Sequence, residues 1–330
     1  HYDVHCLWIC SGIITRYIIN NASDGKAKVM LANSYSMYLL ERGNYPVSTL
    51  SPEGSVHSFC PIQVREVLDR LHIKNKGSQT ELDDYYANWL NWTSRFRGVD
   101  KFNEWAFCNG IHDALVNQIA YRSKTVNKFY YFEDDYLFYT ALLSPYTSEC
   151  IHHADLETIE ENSYIIVSQP NHTGSISTWF PELKKQCEKT NSKIFLDCAF
   201  YGTSLEVMDV EDSVIDCTAF SLSKSFLLGG IRAGILFGND IAPSLTIPIS
   251  KLMNYNYYNI NAVTVANAIL PAFGPLYVTA PAKMIQEEYV NDHPGYTALE
   301  IWMWVLDDKG NKICITDEIQ NAIQIELDKE

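Results

Sequence analysis

Short apolar runs alternate with amphipathic stretches through the middle of the chain. Trp105–Cys108, Lys128–Glu133, Ser163–Ser168, Lys193–Leu196, Val214–Ser221 and Ala233–Phe237 are compact and apolar, the pattern of strands buried on both faces. Between them, Ile111–Tyr121 has helical spacing, with Ala114, Leu115, Ile119 and Ala120 as its inward positions. Leu156–Glu161 reads as a short acidic helix. Ser175–Thr190 reads as a crossover helix whose solvated face carries Lys184, Lys185 and Lys189. Strands alternating with helices predict an α/β fold with a largely parallel, helix-flanked sheet.

The flanks are less regular. Leu31–Arg42, Pro61–Leu71 and Leu82–Trp92 have helical apolar spacing. Beyond Gly238, Tyr255–Leu270 predicts a long helix, Thr297–Leu306 a strand, Lys309–Asn311 a turn and Asp317–Leu327 a last helix. The expected organisation is an N-terminal helical segment (1–104) contributing to a small domain and an interface, a large domain (105–250), and a linker helix with a short C-terminal domain (251–330).

Charge and cysteine usage narrow the class. A formal net charge of −15 argues against nucleic acid or an anionic membrane as a general partner. No apolar run reaches the roughly 18 residues of a membrane helix. Leu7–Ile19 is broken by Ser11, Thr15 and Arg16 and lacks a basic leader, so it reads as folded structure or a chain trimmed upstream rather than a signal peptide. Nine cysteines without a CxxC pair fit reduced, buried thiols of a cytoplasmic protein. The nine histidines show no metal-ligand spacing, and no metal is expected.

The chemistry concentrates at Ser221–Gly234, a lone lysine on a glycine-rich frame, with a serine three before it and an arginine eight after. Burial among small apolar residues favours the neutral amine of Lys224, a nucleophile able to form a Schiff base with an aldehyde. Ser221 and Ser223 offer hydroxyls to phosphate oxygens, and Arg232 offers a bidentate fork. The stretch reads as a site for pyridoxal 5'-phosphate (PLP).

At these residues the chain resembles the fold-type I PLP-dependent enzymes, in particular the class I/II aminotransferase-like family. The resemblance implies a mostly parallel seven-stranded sheet flanked by helices, with a small α+β C-terminal domain. It carries further residues with it. Gly110, Ile111 and His112, at a strand–glycine–helix junction, match the first phosphate contacts. Tyr136 matches an aromatic that stacks on the pyridine ring, in a Tyr-x-x-Tyr run whose usual proline is replaced here by Asp134 or Asp135. Asn171, in Pro170-Asn171-His172-Thr173-Gly174, matches the donor to the phenolic oxygen. Asp197, in Asp197-Cys198-Ala199-Phe200, matches the partner of the pyridine nitrogen. Phe200 departs from the family's frequent tyrosine, leaving Asn171 as sole donor or Tyr201 to reach across.

The resemblance implies a homodimer and a small-molecule amine or amino-acid substrate. Family members usually hold the substrate carboxylate with a C-terminal arginine, and no arginine follows Arg232 in this sequence. The expectation is therefore an aminotransferase-like enzyme for an amine or unusual amino acid, with Lys224 and Asp197 catalytic. The alternatives are a PLP-dependent lyase, decarboxylase or cyclase, and a PLP-binding pseudoenzyme or regulatory module.

Overall fold

A computed structural model of the chain describes residues 16–20, 27–31, 60–72, 77–171, 175–226, 228–246 and 258–327. By contacts the chain divides at Ser55/Val56 into two units. In the first, β1 (Arg16–Asn20) and β2 (Ala27–Leu31) pair as an antiparallel hairpin. The helical spacing read over Leu31–Arg42 falls, after Leu31, outside the described residues.

The second unit opens with α1 (Ile62–Asp69) and α2 (Gln79–Trp92). Ser78 caps α2 by accepting a bond from the Glu81 N–H at 3.2 Å. Next come β3 (Phe96–Arg97), β4 (Glu104–Cys108), α3 (Ile111–Arg122), β5 (Lys128–Phe132), α4 (Phe138–Leu143), β6 (Ser148–Ile151), β7 (Ser163–Ser168), α5 (Phe180–Lys189), β8 (Lys193–Cys198), β9 (Met208–Asp209), β10 (Ile215–Ser221) and β11 (Gly234–Gly238). The chain then runs through α6 (Ile260–Ala272), α7 (Thr279–Asp292), β12 (Thr297–Ala298), β13 (Trp304–Leu306), β14 (Lys312–Cys314) and α8 (Thr316–Leu327).

Seven strands form the central sheet in the order β4-β11-β10-β8-β7-β5-β6. All run parallel except β11, which is antiparallel to both β10 and β4. Alternate residues face opposite layers. Tyr130, Ile165, Val167, Ile194, Leu196, Phe220 and Ile235 pack with α2, α5 and α6. Phe129, Tyr164, Ile166, Phe195, Ala219 and Leu236 pack with α3 and α4. Burial on both faces is why these strands are apolar throughout. A small antiparallel sheet, β12-β13-β14, accompanies α7 and α8. This is the fold-type I architecture.

The elements differ from expectation at several places. Thr297–Leu306 is not one strand: β12 and β13 pair antiparallel, Thr297 opposite Leu306, around a buried turn that includes Ile301–Met303. Its apolar run comes from burial of that turn. The acidic helix is a 3-10 segment at His153–Thr158, started by a bond from the Ala154 N–H to His152 Nδ1. The crossover helix begins at Phe180, with Pro181 in its first turn, because Ser175 and Ser177 are bound back to Asn171 and Gln169. On α3, Gln118 is buried and Ala120 exposed, since the Gln118 amide donates to the Asp240 carbonyl at 2.8 Å. Lys184 is half-buried and paired with Asp212 at 2.9 Å rather than solvated. α7 had no sequence signal because its buried face includes Thr279, Lys283 and Gln286.

The edge of the sheet at the start of β10 is closed by ions. Arg122 pairs with Asp216 at 2.5 Å and Asp240 at 2.6 Å, and its side chain is 13% exposed against 6% for Asp216. Removing one partner of such a pair strands a buried charge. Arg122→Ala is predicted to cost about 3–5 kcal/mol in urea unfolding. Arg97→Ala, which breaks a surface pair with Asp209, should cost no more than about 1 kcal/mol. Equal losses in the two variants would contradict this reading.

Candidate active site

The opposite edge of the sheet gathers the chemistry. β8 ends beside Asp197, β10 ends at Ser221, β4 leads through Asn109 into Gly110, and β7 leads to Asn171. Because β11 runs the other way, its start at Gly234, and Arg232 just before it, lie at this same edge. Register fixes the neighbours: Ser168 is opposite Asp197, Asp197 opposite Ala219, Ser221 opposite Gly234, and Gly234 opposite Cys108. Ligands collect at this carboxyl edge of an open α/β sheet.

Gly110 starts α3 with φ +76°, and a Cβ there would come within 2.8 Å of Arg232 Nη2. The guanidinium therefore lies against the helix start. Gly234 allows the approach, since a Cβ on it would meet the Gly110 Cα at 2.9 Å. The buried Tyr85 hydroxyl holds the Gly234 carbonyl at 2.5 Å. Arg232 itself has φ +63°, a left-handed conformation worth about 1–2 kcal/mol of strain in a non-glycine residue. That backbone turns its side chain toward α3. Among the described residues, the half-buried guanidinium has one protein acceptor, the Gly229 carbonyl at a long 3.5 Å. In the first turn of α3 the Asp113 N–H bonds back to the Gly110 carbonyl at 3.1 Å, and the start of a helix carries a partial positive charge. Cation and helix start together make an anion cradle. His112 stands at the same place. The protein packed around it and the Arg232 charge hold its imidazole below the usual pKa.

Lys224 lies close enough to Asp197 and Arg232 to feel both charges. Burial lowers its pKa, Asp197 opposes that, and Arg232 adds to it. Its Nζ is 6.0 Å from the centre of the Phe200 ring, which meets Trp304 edge-on at 5.5 Å. Asp197 is buried. It accepts bonds from the Tyr139 hydroxyl at 2.8 Å and the Ala199 N–H at 2.9 Å. Burial pushes its pKa up to about 6, against the pull of those donors and of Lys224.

Tyr136 is 52% exposed, and its ring meets Tyr139 edge-on at 5.6 Å. It is a rim residue and not core. The Asn171 amide donates to Ser177 Oγ at 2.9 Å, and the Gln169 amide donates to the same oxygen at 2.9 Å. His172, Thr173 and Gly174 lie outside the described residues. Tyr201 does not reach across, because its hydroxyl donates to the Trp92 carbonyl at 2.8 Å inside the core. Ser221 is buried at the strand end and Ser223 half-buried two residues on. Ile111 is buried beneath the helix start. The structure thus brings together Gly110, Ile111, His112, Asp197, Lys224 and Arg232. Ser221 and Ser223 bracket the strand end, and Tyr136 and Asn171 stand at the neighbouring strand ends. Two polar residues escaped sequence reasoning. Tyr139 carried a signal, being three after Tyr136 and so one helical turn on. Asp135 is buried beside it.

The donor set suits PLP: an amine for an aldehyde, a cation and helix start for a phosphate, a carboxylate for a ring nitrogen, and an exposed aromatic for a ring face. Among the described residues there is no metal-like cluster and no helix long and apolar enough to cross a membrane. The seven described cysteines are all free.

Comparison with known proteins agrees. Residues 142–298 match the family model "Aminotransferase class I and II". No curated protein matches the chain. Tyrosine aminotransferase from Leishmania infantum superposes with a TM-score of 0.57 at 11% identity, over 92% of this chain and 100% of that one. A PLP-bound putative aminotransferase from Clostridium difficile 630 gives 0.52 at 16% identity, over 74% and 72%. A PLP-bound C-S lyase from Staphylococcus hominis gives 0.52 at 15% identity, over 78% and 74%. The chain shares the fold of these PLP-dependent enzymes, and residues 142–298 are similar to the class I and II aminotransferases.

Asp197, and Asp135 at about 7, have pKa values raised above the usual 3.8. Between about pH 4 and 7 the folded, ligand-free protein therefore holds protons that the unfolded chain has released. Its stability is predicted to fall as pH rises across that window. Asp197→Asn, with no such proton to lose, should flatten the decline. Urea midpoints measured from acid to neutral pH check this, and an undiminished slope in the variant would count against it.

Proposed function

We propose that this class I/II aminotransferase-like protein is a PLP-dependent transferase acting on a small amine or unusual amino acid. The observation that carries the reading is the grouping of Lys224, Asp197 and Arg232 at one sheet edge, with the Arg232 guanidinium against Gly110 and short of protein acceptors. Arg232, Ser221, Ser223 and the Gly110–His112 helix start would hold the phosphate. Lys224 would hold the aldehyde carbon, Asp197 the pyridine nitrogen, Asn171 the phenolic oxygen and Tyr136 a ring face. When bound, PLP supplies an electron sink for charge developing beside a substrate amino group.

The residues of the chain do the rest. Asp197 keeps a proton on the ring nitrogen, and Tyr139 holds that carboxylate in place. Once the substrate amine takes its place on the aldehyde carbon, the freed Lys224, kept toward its neutral form by burial, would take and return a proton at the substrate α-carbon. Phe200 puts an apolar ring near its amine and limits water there.

The substrate class rests on the five other arginines whose side chains are described, each of which is engaged elsewhere. Arg65 donates to the Cys60 carbonyl, Arg70 pairs with Glu66, Arg95 donates to the Leu205 carbonyl, Arg97 pairs with Asp209, and Arg122 pairs with Asp216. None of these contacts involves a residue of the candidate site. A lyase on the same site is the second reading, favoured by the superposition on the C-S lyase. A homodimer in the cytoplasm is part of the proposal, to be tested by sedimentation and by fractionation.

Purified protein given PLP should take up a visible chromophore, and borohydride should fix a pyridoxyl group on Lys224, read by peptide mass spectrometry. Lys224→Ala should lower turnover by at least about 10²–10⁴-fold. Loss of neither property in the variant would sink the proposal. Simple amines should outperform α-amino acids as amino donors. A cofactor left in its amine form marks transfer, and one returned unchanged marks elimination.

A further inference from the structure

Asp135 is a buried carboxylate that the chemistry above leaves unused. It is 4% exposed and carries no cation among its hydrogen-bond partners. It accepts from the Ser168 N–H at 2.8 Å, from the Tyr136 N–H at 2.7 Å, and from the Ser168 hydroxyl. A buried charge with no countercharge is costly unless several donors converge on it. Here three do, and an ionised carboxylate, which only accepts, suits them. Burial pushes its pKa up to about 7 against those donors, and the nearby Asp197 charge pushes the same way.

Its partners connect two parts of the site. Ser168 is the last residue of β7 and the register partner of Asp197. The next residue, Gln169, donates its N–H to the Asp197 carbonyl at 2.9 Å. On the other side, Asp135 holds the N–H of Tyr136. One helical turn on, Tyr139 donates to Asp197 Oδ2 at 2.8 Å. The contacts run in a closed loop from Asp135 through Ser168, Asp197 and Tyr139 back to Tyr136.

We propose that Asp135 is a positioning residue that clamps the Tyr136 turn to the end of β7, so that the ring-stacking tyrosine and the pyridine-binding Asp197 are held in fixed relation across the cofactor. This rests on the functional reading above. The exposed Tyr136 ring meets Tyr139 edge-on at 5.6 Å and Phe138 at a tilt at 5.8 Å, and the turn that Asp135 holds sets where that ring stands. Asp197 keeps its own two donors, so the damage falls on the stacking side.

The test uses the full chain loaded with PLP, comparing wild type with Asp135→Ala, Asp135→Asn and Ser168→Ala. The readouts are the PLP dissociation constant, the circular dichroism induced in the bound cofactor, and the melting temperature. Asp135→Ala should weaken PLP binding about tenfold or more and diminish the induced dichroism. Asp135→Asn, which keeps one acceptor oxygen, should recover part of both. Ser168→Ala should move both in the same direction by less. If Asp135→Ala does not fold, Ser168→Ala carries the test with the same readouts. A lowered melting temperature with unchanged PLP affinity and dichroism in the folded variants overturns the proposal and leaves Asp135 a loop anchor. A wild-type protein that takes up no PLP overturns the functional reading, and this one with it. A wild type that loads normally beside variants that load equally well overturns this inference alone.

Discussion

The site depends on a charge held out of water at a sheet edge. Asp197 sits between β7 and β10, buried, with two donors and a lysine nearby. Its carboxylate is costly there unless a cation shares the space. Lys224 supplies part of that balance, yet burial and Arg232 both press Lys224 toward neutrality. The arrangement is therefore poised: two cations and a carboxylate with too few protein partners to settle them. A ligand with a basic ring nitrogen at one end and an anion at the other satisfies both ends at once.

That poise is built by strand direction. A parallel sheet brings its carboxyl ends to one edge, so Ser168, Asp197 and Ser221 arrive together without any sequence proximity. The single reversed strand, β11, adds what parallel strands cannot, because its beginning also lies at this edge. Arg232 precedes it, bent back through a left-handed residue and accommodated by Gly110 and Gly234. A side chain at Gly110 would meet the guanidinium itself, and one at Gly234 would press on the Gly110 backbone. The anion cradle at Arg232 is thus a consequence of one antiparallel strand wedged between β4 and β10.

Most of the sheet was legible because its strands are buried on both faces and so are apolar end to end. The lysine loop was legible because its chemistry is local: lysine, hydroxyls, glycines and arginine lie within 14 consecutive residues, Ser221–Gly234. What escaped has a common cause. The Tyr139 bond to Asp197 and the Asp135 bonds to Ser168 join residues 58 and 33 positions apart. Spacing marks Tyr139 beside Tyr136 but does not name Asp197 as its partner, and nothing in the sequence marks the Asp135–Ser168 pairing. α7 escaped because its inner face uses Lys283 and Gln286 as donors to the Leu299 carbonyl, which a hydrophobic pattern misses. The hairpin at Thr297–Leu306 escaped for the opposite reason, a turn as apolar as the strands it joins. Tyr201 had been a candidate donor by adjacency alone, and the chain turns it into the core against Trp92.

The two ends of β10 show why one edge is a site and the other is scaffold. At its start Asp216 accepts from Arg122, the Tyr164 hydroxyl at 2.7 Å and the Gln118 amide at 3.3 Å, and Arg122 also reaches Asp240. Each charge there has an opposite charge in contact, and nothing is left to recruit a ligand. At its end, Lys224 feels the charges of Asp197 and Arg232, and Asp197 is itself committed to a tyrosine and a backbone N–H. The same strand, with the same apolar core around it, is saturated at one end and short of acceptors at the other. Polar groups that stay buried without partners cost free energy in every protein. A fold that concentrates that deficit at one edge, while closing the other with a full ion network, has kept stability and binding on opposite sides of one core.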